Sequence, residues 1–162
     1  MKLKLTYQKI INLDEALKAV GENRKNAKFS LLVARNRFAL REHIETITEA
    51  GKTSVDMKKA DTRKRDLFND FAEPDESGKM VVSNEVYPKF KKAVDELKKE
   101  LKPIDDAHEQ QMEAYEALLS EYPSDTKGKP VLIDFYEITE SMLPKELSGN
   151  QIEGIMPVLK LK

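Results

Sequence analysis

The sequence predicts an α+β fold: a long antiparallel helical hairpin, with a small sheet formed by N-terminal, penultimate and C-terminal strands. Three observations predict it. Two long stretches repeat apolar residues at helical spacing on either side of the turn-rich Glu73–Lys79 (EPDESGK). Both chain ends alternate Lys with Leu, and VLIDFYEI from Val131 is a third strand candidate. Charged residues make up 35% of the 162 residues against 40% hydrophobic, and the mean hydropathy is -0.60. That balance suits elongated helices with much solvated surface. The expected organisation is a single domain over 1–162, with a projecting hairpin over 27–122 and a small strand-bearing head from 1–26 and 130–162.

Lys2, Lys4 and Thr6 alternate with Leu3, Leu5 and Tyr7, the period of a half-buried strand whose lysines protect its edge. Ile10, Leu13, Leu17 and Val20 then recur at three and four, a short helix ending near Gly21. The polar run Glu22 to Asn26 turns the chain. From Ala27 a long helix follows, with Leu31, Ala34 and Phe38 as one stripe and Leu40, Ile44 and Ile47 continuing it on a drifting face. Gly51 interrupts. Thr53 with Asp56 resembles a capping pair that restarts the helix, and one continuous helix to about Phe71 is the alternative, with Gly51 costing about 1 kcal/mol. Met57, Ala60, Lys64, Leu67 and Phe71 repeat beyond it, Lys64 lending its aliphatic stem and extending its amine to water.

Val81 and Val82 read as a short extended segment. A second long helix starts at Ser83 or Asn84 and carries Phe90, Val94, Leu97, Leu101, Ile104, Met112, Tyr115 and Leu119. Pro88 fits its first turns, and Pro103 predicts a kink near Lys99 or a break into two helices. Pro123 to Lys129 is a loop. Val131 to Ile138 follows as a strand, and Ser148 with Gln151 marks the start of a short helix stopped by Pro157. In the tail, Val158, Lys160 and Lys162 alternate with Leu159 and Leu161.

The composition restricts the chemistry. Without cysteine there is no disulfide, thiolate metal site or cysteine nucleophile. No apolar run approaches the ~20 residues of a membrane span, and the first residues do not read as a signal peptide. Net charge is -1, but unevenly placed: twelve Lys or Arg against five acids over Arg24–Arg65, and three Lys against eleven acids over Ile104–Glu146. A chain polarised in this way attracts its own opposite half, a neighbouring copy or a charged partner.

Candidate motifs mostly resolve into ordinary surface. Gly51-Lys52-Thr53 resembles the end of a phosphate loop, but Thr46 stands where the first glycine belongs and no strand precedes it. Asp105 and His108 share a helix face, yet neither they nor His43 belong to a complete ligand set. Glu109, Glu113 and Glu116 form an acidic face beside Gln110 and Gln111, the composition of a wet contact surface and not of a catalytic cleft. Lys58, Lys59, Arg63, Lys64 and Arg65 are the densest basic group, but Asp56, Asp61, Asp66 and Asp70 interleave with them. No recognised nucleic-acid motif accompanies that group. There is no GxSxG nucleophile elbow. No catalytic, cofactor-binding or metal-ligating residue is therefore assigned.

The arrangement as a whole resembles small uncharacterised proteins of tailed phages. The resemblance rests on MKLKLTYQKIINLDEAL, the helix opening FSLLVARNRFAL, the turn ESGK before VYPKFKKAVDELKKEL, the VLIDFYEI strand and the SGNQIEGIMP helix. It is one of order, without a diagnostic motif, and transfers no catalytic residues. It implies a virus-encoded structural or assembly accessory protein, head- or tail-associated, found in the virion or the host cytoplasm. Its expected partners are proteins: virion subunits or further copies of itself, with nucleic acid disfavoured and no membrane. The candidate contact residues are Leu3, Leu5, Leu159 and Leu161 on the terminal strands, Lys58, Lys59, Arg63 and Arg65 on the basic face, and Glu109, Glu113 and Glu116 on the acidic one. The competing readings are a virus-encoded regulatory or inhibitory protein using the acidic face, and a nucleic-acid binder using Arg24–Arg65.

Overall fold

A computed structural model describes residues 1–21, 26–120 and 128–160. The expected turn at Glu22, most of the loop from Pro123, the hairpin limit at 122 and Leu161 lie outside them. The fold is α+β, and the chain divides into two compact units, Met1–Ala50 with Ala114–Lys162, and Gly51–Glu113. The expected hairpin range of 27–122 falls partly in each.

The first unit holds the main core. Strand β1 (Lys2–Leu5) pairs antiparallel with β4 (Val131–Asp134), Leu3 opposite Ile133 and Leu5 opposite Val131. Helix α1 (Tyr7–Gly21) begins where Thr6 turns inward. The Thr6 hydroxyl accepts from the Lys9 N–H at 3.4 Å and its carbonyl from the Ile10 N–H at 3.0 Å, so this residue is buried instead of facing water with Lys2 and Lys4. The expected ladder of Ile10, Leu13, Leu17 and Val20 is the buried face of α1. Helix α2 (Ala27–Ala50) is capped by Asn26, whose side-chain oxygen accepts from the Phe29 N–H at 3.1 Å and whose amide donates to the Met142 carbonyl at 3.1 Å.

The expected Leu40–Ile44–Ile47 surface of α2 does face the core, but the first half of the helix differs from the expected one. Phe29, Val33, Asn36, Leu40 and Ile47 are buried, whereas Leu31 is 52% and Phe38 73% exposed. Asn36 explains the difference. Its side-chain oxygen accepts from the Tyr136 N–H at 2.7 Å and its NH2 donates to the Tyr136 carbonyl at 2.9 Å. Its amide thus pairs with a whole peptide unit as a neighbouring strand would, and a satisfied amide can be fully buried.

The same contact corrects the penultimate strand. Instead of one strand over Val131–Ile138, the chain makes β4, then an unpaired stretch over 135–137 whose Tyr136 peptide is held by Asn36, then β5 (Ile138–Thr139). β5 pairs parallel with β6 (Leu159–Lys160). The three predicted strands therefore form two separate two-stranded ladders, β1–β4 and β5–β6, and not one sheet. Between them lies α5 (Gly149–Ile155), whose expected capping box is present: Ser148 accepts from the Gln151 N–H, and Gln151 from the Ser148 N–H. Pro157 ends it within a 3-10 turn, Met156–Val158. That turn buries Val158 beside Leu159 and breaks the expected alternation of the tail. A Cβ at Gly154 would stand 2.8 Å from that of Ala16, so glycine lets α5 approach α1 closely.

In the second unit α2 has ended, and α3 (Val55–Phe71) starts afresh. Its cap is Ser54, one residue beyond the expected Thr53, accepting from the Met57 N–H at 3.1 Å. The expected turn opens with a small hairpin of β2 (Glu73–Pro74) and β3 (Met80–Val81). Helix α4 (Tyr87–Leu119) starts three residues later than the expected Asn84. It stays helical through Pro103: both Pro103 and Lys99 are exposed, so the carbonyl that loses its donor faces solvent.

Replacing Asn36 tests the buried amide. Asn36→Leu leaves the Tyr136 peptide unpaired and should lower unfolding free energy by about 2–4 kcal/mol in denaturant titration. Asn36→Asp keeps the acceptor but loses the donor unless protonated, so its folded pKa rises above the unfolded value of about 3.9. Its deficit relative to wild type should therefore widen as pH climbs from about 4; a pH-independent deficit would contradict the pairing.

Candidate interaction surfaces

Within Gly51–Glu113, α3 and the first part of α4 form an antiparallel helix pair. Arg63 holds Glu100 in a two-pronged ion pair, both N–O distances 2.7 Å. The arginine keeps the Glu100 carboxyl below the usual carboxylate range. Lys64, expected to reach water, donates to Asp105 at 2.7 Å. That pairing engages the carboxylate that, with His108, suggested a metal fragment. The His108 Nδ1 is buried without a hydrogen-bond partner among the described residues. Nearer the tip, the Phe90 ring packs against Phe71 at 5.7 Å and against Phe68 and Tyr87 at 6.3 Å. At the other end Gln111, read as a wet surface residue, donates to the Lys52 carbonyl at 2.8 Å.

These contacts leave the apolar ladder only partly covered. Fifteen buried hydrophobics form the core of the first unit, whereas those of the second are Ala60, Ala72 and Leu101. Met57, Leu67, Phe71, Phe90, Val94 and Leu97 remain half-exposed. Two helices have one mutual seam, so a stripe wider than that seam stays open on its flanks. One flank is an apolar groove of about 250 Å³ lined by Leu67, Val94, Leu97 and Leu101, with Lys64 and Lys98 on its rim. The opposite flank carries Asp66, Asp70, Glu96 and Glu100 around Arg63.

The predicted contact residues fall into three situations. Leu5 and Leu159 are buried in the chain's own core and Leu3 packs against it. Lys58, Lys59, Arg63 and Arg65 are exposed on α3, with Arg63 engaged by Glu100 and Arg65 4.0 Å from Asp66. Glu109, Glu113 and Glu116 are exposed on α4. His43 sits edge-on to Tyr7 at 6.2 Å between centroids.

Sequence reading missed two features. One is the outer face of α2, where Leu31, Ala34 and Phe38 are exposed. The other is the way Asp75, read as turn chemistry at the hairpin tip, gathers that turn's donors. Its carboxylate accepts from the Ser77 hydroxyl at 2.7 Å, the Ser77 N–H at 2.8 Å and the Lys79 N–H at 3.0 Å, while Gly78 takes the left-handed φ of 80°. The DESGK pattern, an Asp two residues before Ser and three before Gly, was the available signal. Among the described residues no group of three or more His, Asp or Glu is placed to hold a metal, and no helix is long and apolar enough to cross a membrane.

No family model, curated protein or solved structure matches the chain.

The Asp75 cluster makes a prediction with a definite sign. The Ser77 hydroxyl, then the Lys79 and Ser77 amides, favour the carboxylate and lower its pKa. The turn's stabilisation is present above the unfolded pKa and lost as pH falls through the lower folded one. In an acid titration followed by NMR, the Ser77 and Lys79 amide signals should move with a midpoint below the ordinary Asp value of 3.8. Asp75→Ala should abolish that movement; a midpoint at or above the ordinary value would refute the assignment.

Proposed function

We propose that this chain is a non-catalytic assembly protein of a tailed-phage particle and acts through protein–protein contacts, with the α3–α4 hairpin as its contact surface. The observation that carries this reading is the uncovered apolar ladder of Gly51–Glu113. A fully buried Leu or Phe contributes about 1.5–3 kcal/mol relative to exposure. In this unit Leu101 is the large side chain that reaches that state, while Leu67, Phe90, Val94 and Leu97 stop halfway. A partner helix seated along the Leu67–Leu97 groove would bury them, and Lys98 on the rim favours one with an acidic flank, Lys64 being engaged by Asp105. The phage context is supported by the order of elements and motifs in the sequence.

Two measurements test this. In hydrogen exchange on the isolated chain, amides of 91–101 should open at least about tenfold more readily than those of 13–20 in the core. With a photo-crosslinking residue at position 97, particles assembled in the infected cell should yield an adduct to a virion subunit. Leu97→Glu should weaken the partner contact by about tenfold or more without altering unfolding of the first unit. Absence of the chain from purified particles would overturn the assembly role. Equal exchange in the two segments would remove its physical basis.

A further inference from the structure

We infer that α2 pairs antiparallel with α2 of a second copy of this chain, across a two-fold axis beside Phe38. The outer face of α2 runs Lys28, Leu31, Arg35, Phe38, Glu42, Glu45 and Glu49, alternating steps of three and four, and every one of these residues is exposed. That is the spacing of a helix–helix seam, on the side turned away from the core. Phe38 at 73% exposure is the most open large hydrophobic among the described residues, with Leu31 two turns before it. Neither is needed by the fold, whose α2 contacts run through Phe29, Val33, Asn36 and Leu40.

The charge order selects the occupant. Cations stand on the seam before Phe38 and carboxylates after it. A two-fold contact requires that if one residue meets another, the second meets the first. An antiparallel pair centred just beyond Phe38 meets that requirement: Arg35 faces Glu42 of the second copy, and the two Phe38 rings pack at the centre. A parallel pair in register would instead set like charges side by side.

The flanks fit as well. Arg37 is held by Asp14 at 2.8 Å and Arg41 by Glu45 at 2.9 Å, so neither guanidinium sits as an uncompensated charge beside the seam. Arg35 lies 5.1 Å from the centroid of the half-exposed Tyr136 ring, which positions its guanidinium and widens the apolar border. The surface is distinct from the α3–α4 groove and does not depend on the proposed assembly role.

Sedimentation equilibrium of the full chain at low salt, over roughly 1 to 500 µM, should show a monomer–dimer equilibrium, weak because one helix face is a small interface. Phe38→Asp and Arg35→Glu should each raise the dissociation constant about tenfold or more. Combining Arg35→Glu with Glu42→Arg should return it to within about threefold of wild type, because the swap re-forms both symmetric pairs. Both side chains are exposed, and unchanged thermal unfolding would show that the variants fold. Leu97→Glu should leave the dimer intact, which separates this contact from the groove. A chain monomeric at the top concentration, a dimer indifferent to Phe38→Asp, or a charge swap that fails to restore association would each overturn the inference.

Discussion

A buried amide on α2 holds the larger unit in register. Asn36 sits in the face that meets the core, where an unpaired polar group would cost several kcal/mol. It escapes that cost by pairing with both polar groups of the Tyr136 peptide. The result has two consequences. It sets which side of α2 faces inward. It supplies the partner of the Tyr136 peptide in the stretch between the strand that starts at Val131 and the one that starts at Ile138. Beyond that stretch β5 pairs with β6 and not with β1. An apolar residue at this position could be buried but would leave the Tyr136 peptide without its partners.

The two units divide the work differently. The first draws segments from both ends of the chain around fifteen buried hydrophobics and is braced by local devices: the Asn26 cap, the Ser148–Gln151 box and the glycine at 154. The second uses ion pairs and aromatic contacts along a two-helix seam. Exposed pairs such as Arg63–Glu100 contribute little to stability, yet their geometry sets the relative register of the helices. A surface that is ordered but incompletely dry is well adapted to receive another molecule.

Sequence reading succeeded where a signal was local. The α1 ladder, the turn at Glu73–Lys79, the box at Ser148 and the stop at Pro157 all depend on residues within one or two turns. It failed where a distant partner decides. Leu40 and Ile47 were read correctly, but Phe29 and Val33 were passed over for the Leu31–Ala34–Phe38 stripe, because Asn36 separates them from Leu40 and periodicity treats asparagine as a solvent marker. Only its partner a hundred positions later reverses that assignment. The single sheet failed for the same reason, since alternation locates strands without saying which ones pair. Of the candidate surfaces, the ladder facing the hairpin groove was legible as a stripe, but its half-open state was not. Lys64–Asp105 joins α3 to α4 and Gln111–Lys52 joins α4 to the segment before α3, contacts invisible to any count along one helix.

The close approach of Gly154 to Ala16 has a consequence for synthesis. The site on α1 that receives this glycine is made early, and its occupant comes well over a hundred residues later. While the ribosome translates the intervening hairpin, the oily sides of α1 and α2 have no lid. Such long-range closure slows folding and lengthens the time during which a nascent chain is prone to stick to its neighbours. The hairpin, by contrast, is assembled from neighbouring segments and can fold as it emerges. Birth order thus runs opposite to core size: the unit with few buried hydrophobics is finished first, and the one with fifteen waits for α5 and β6.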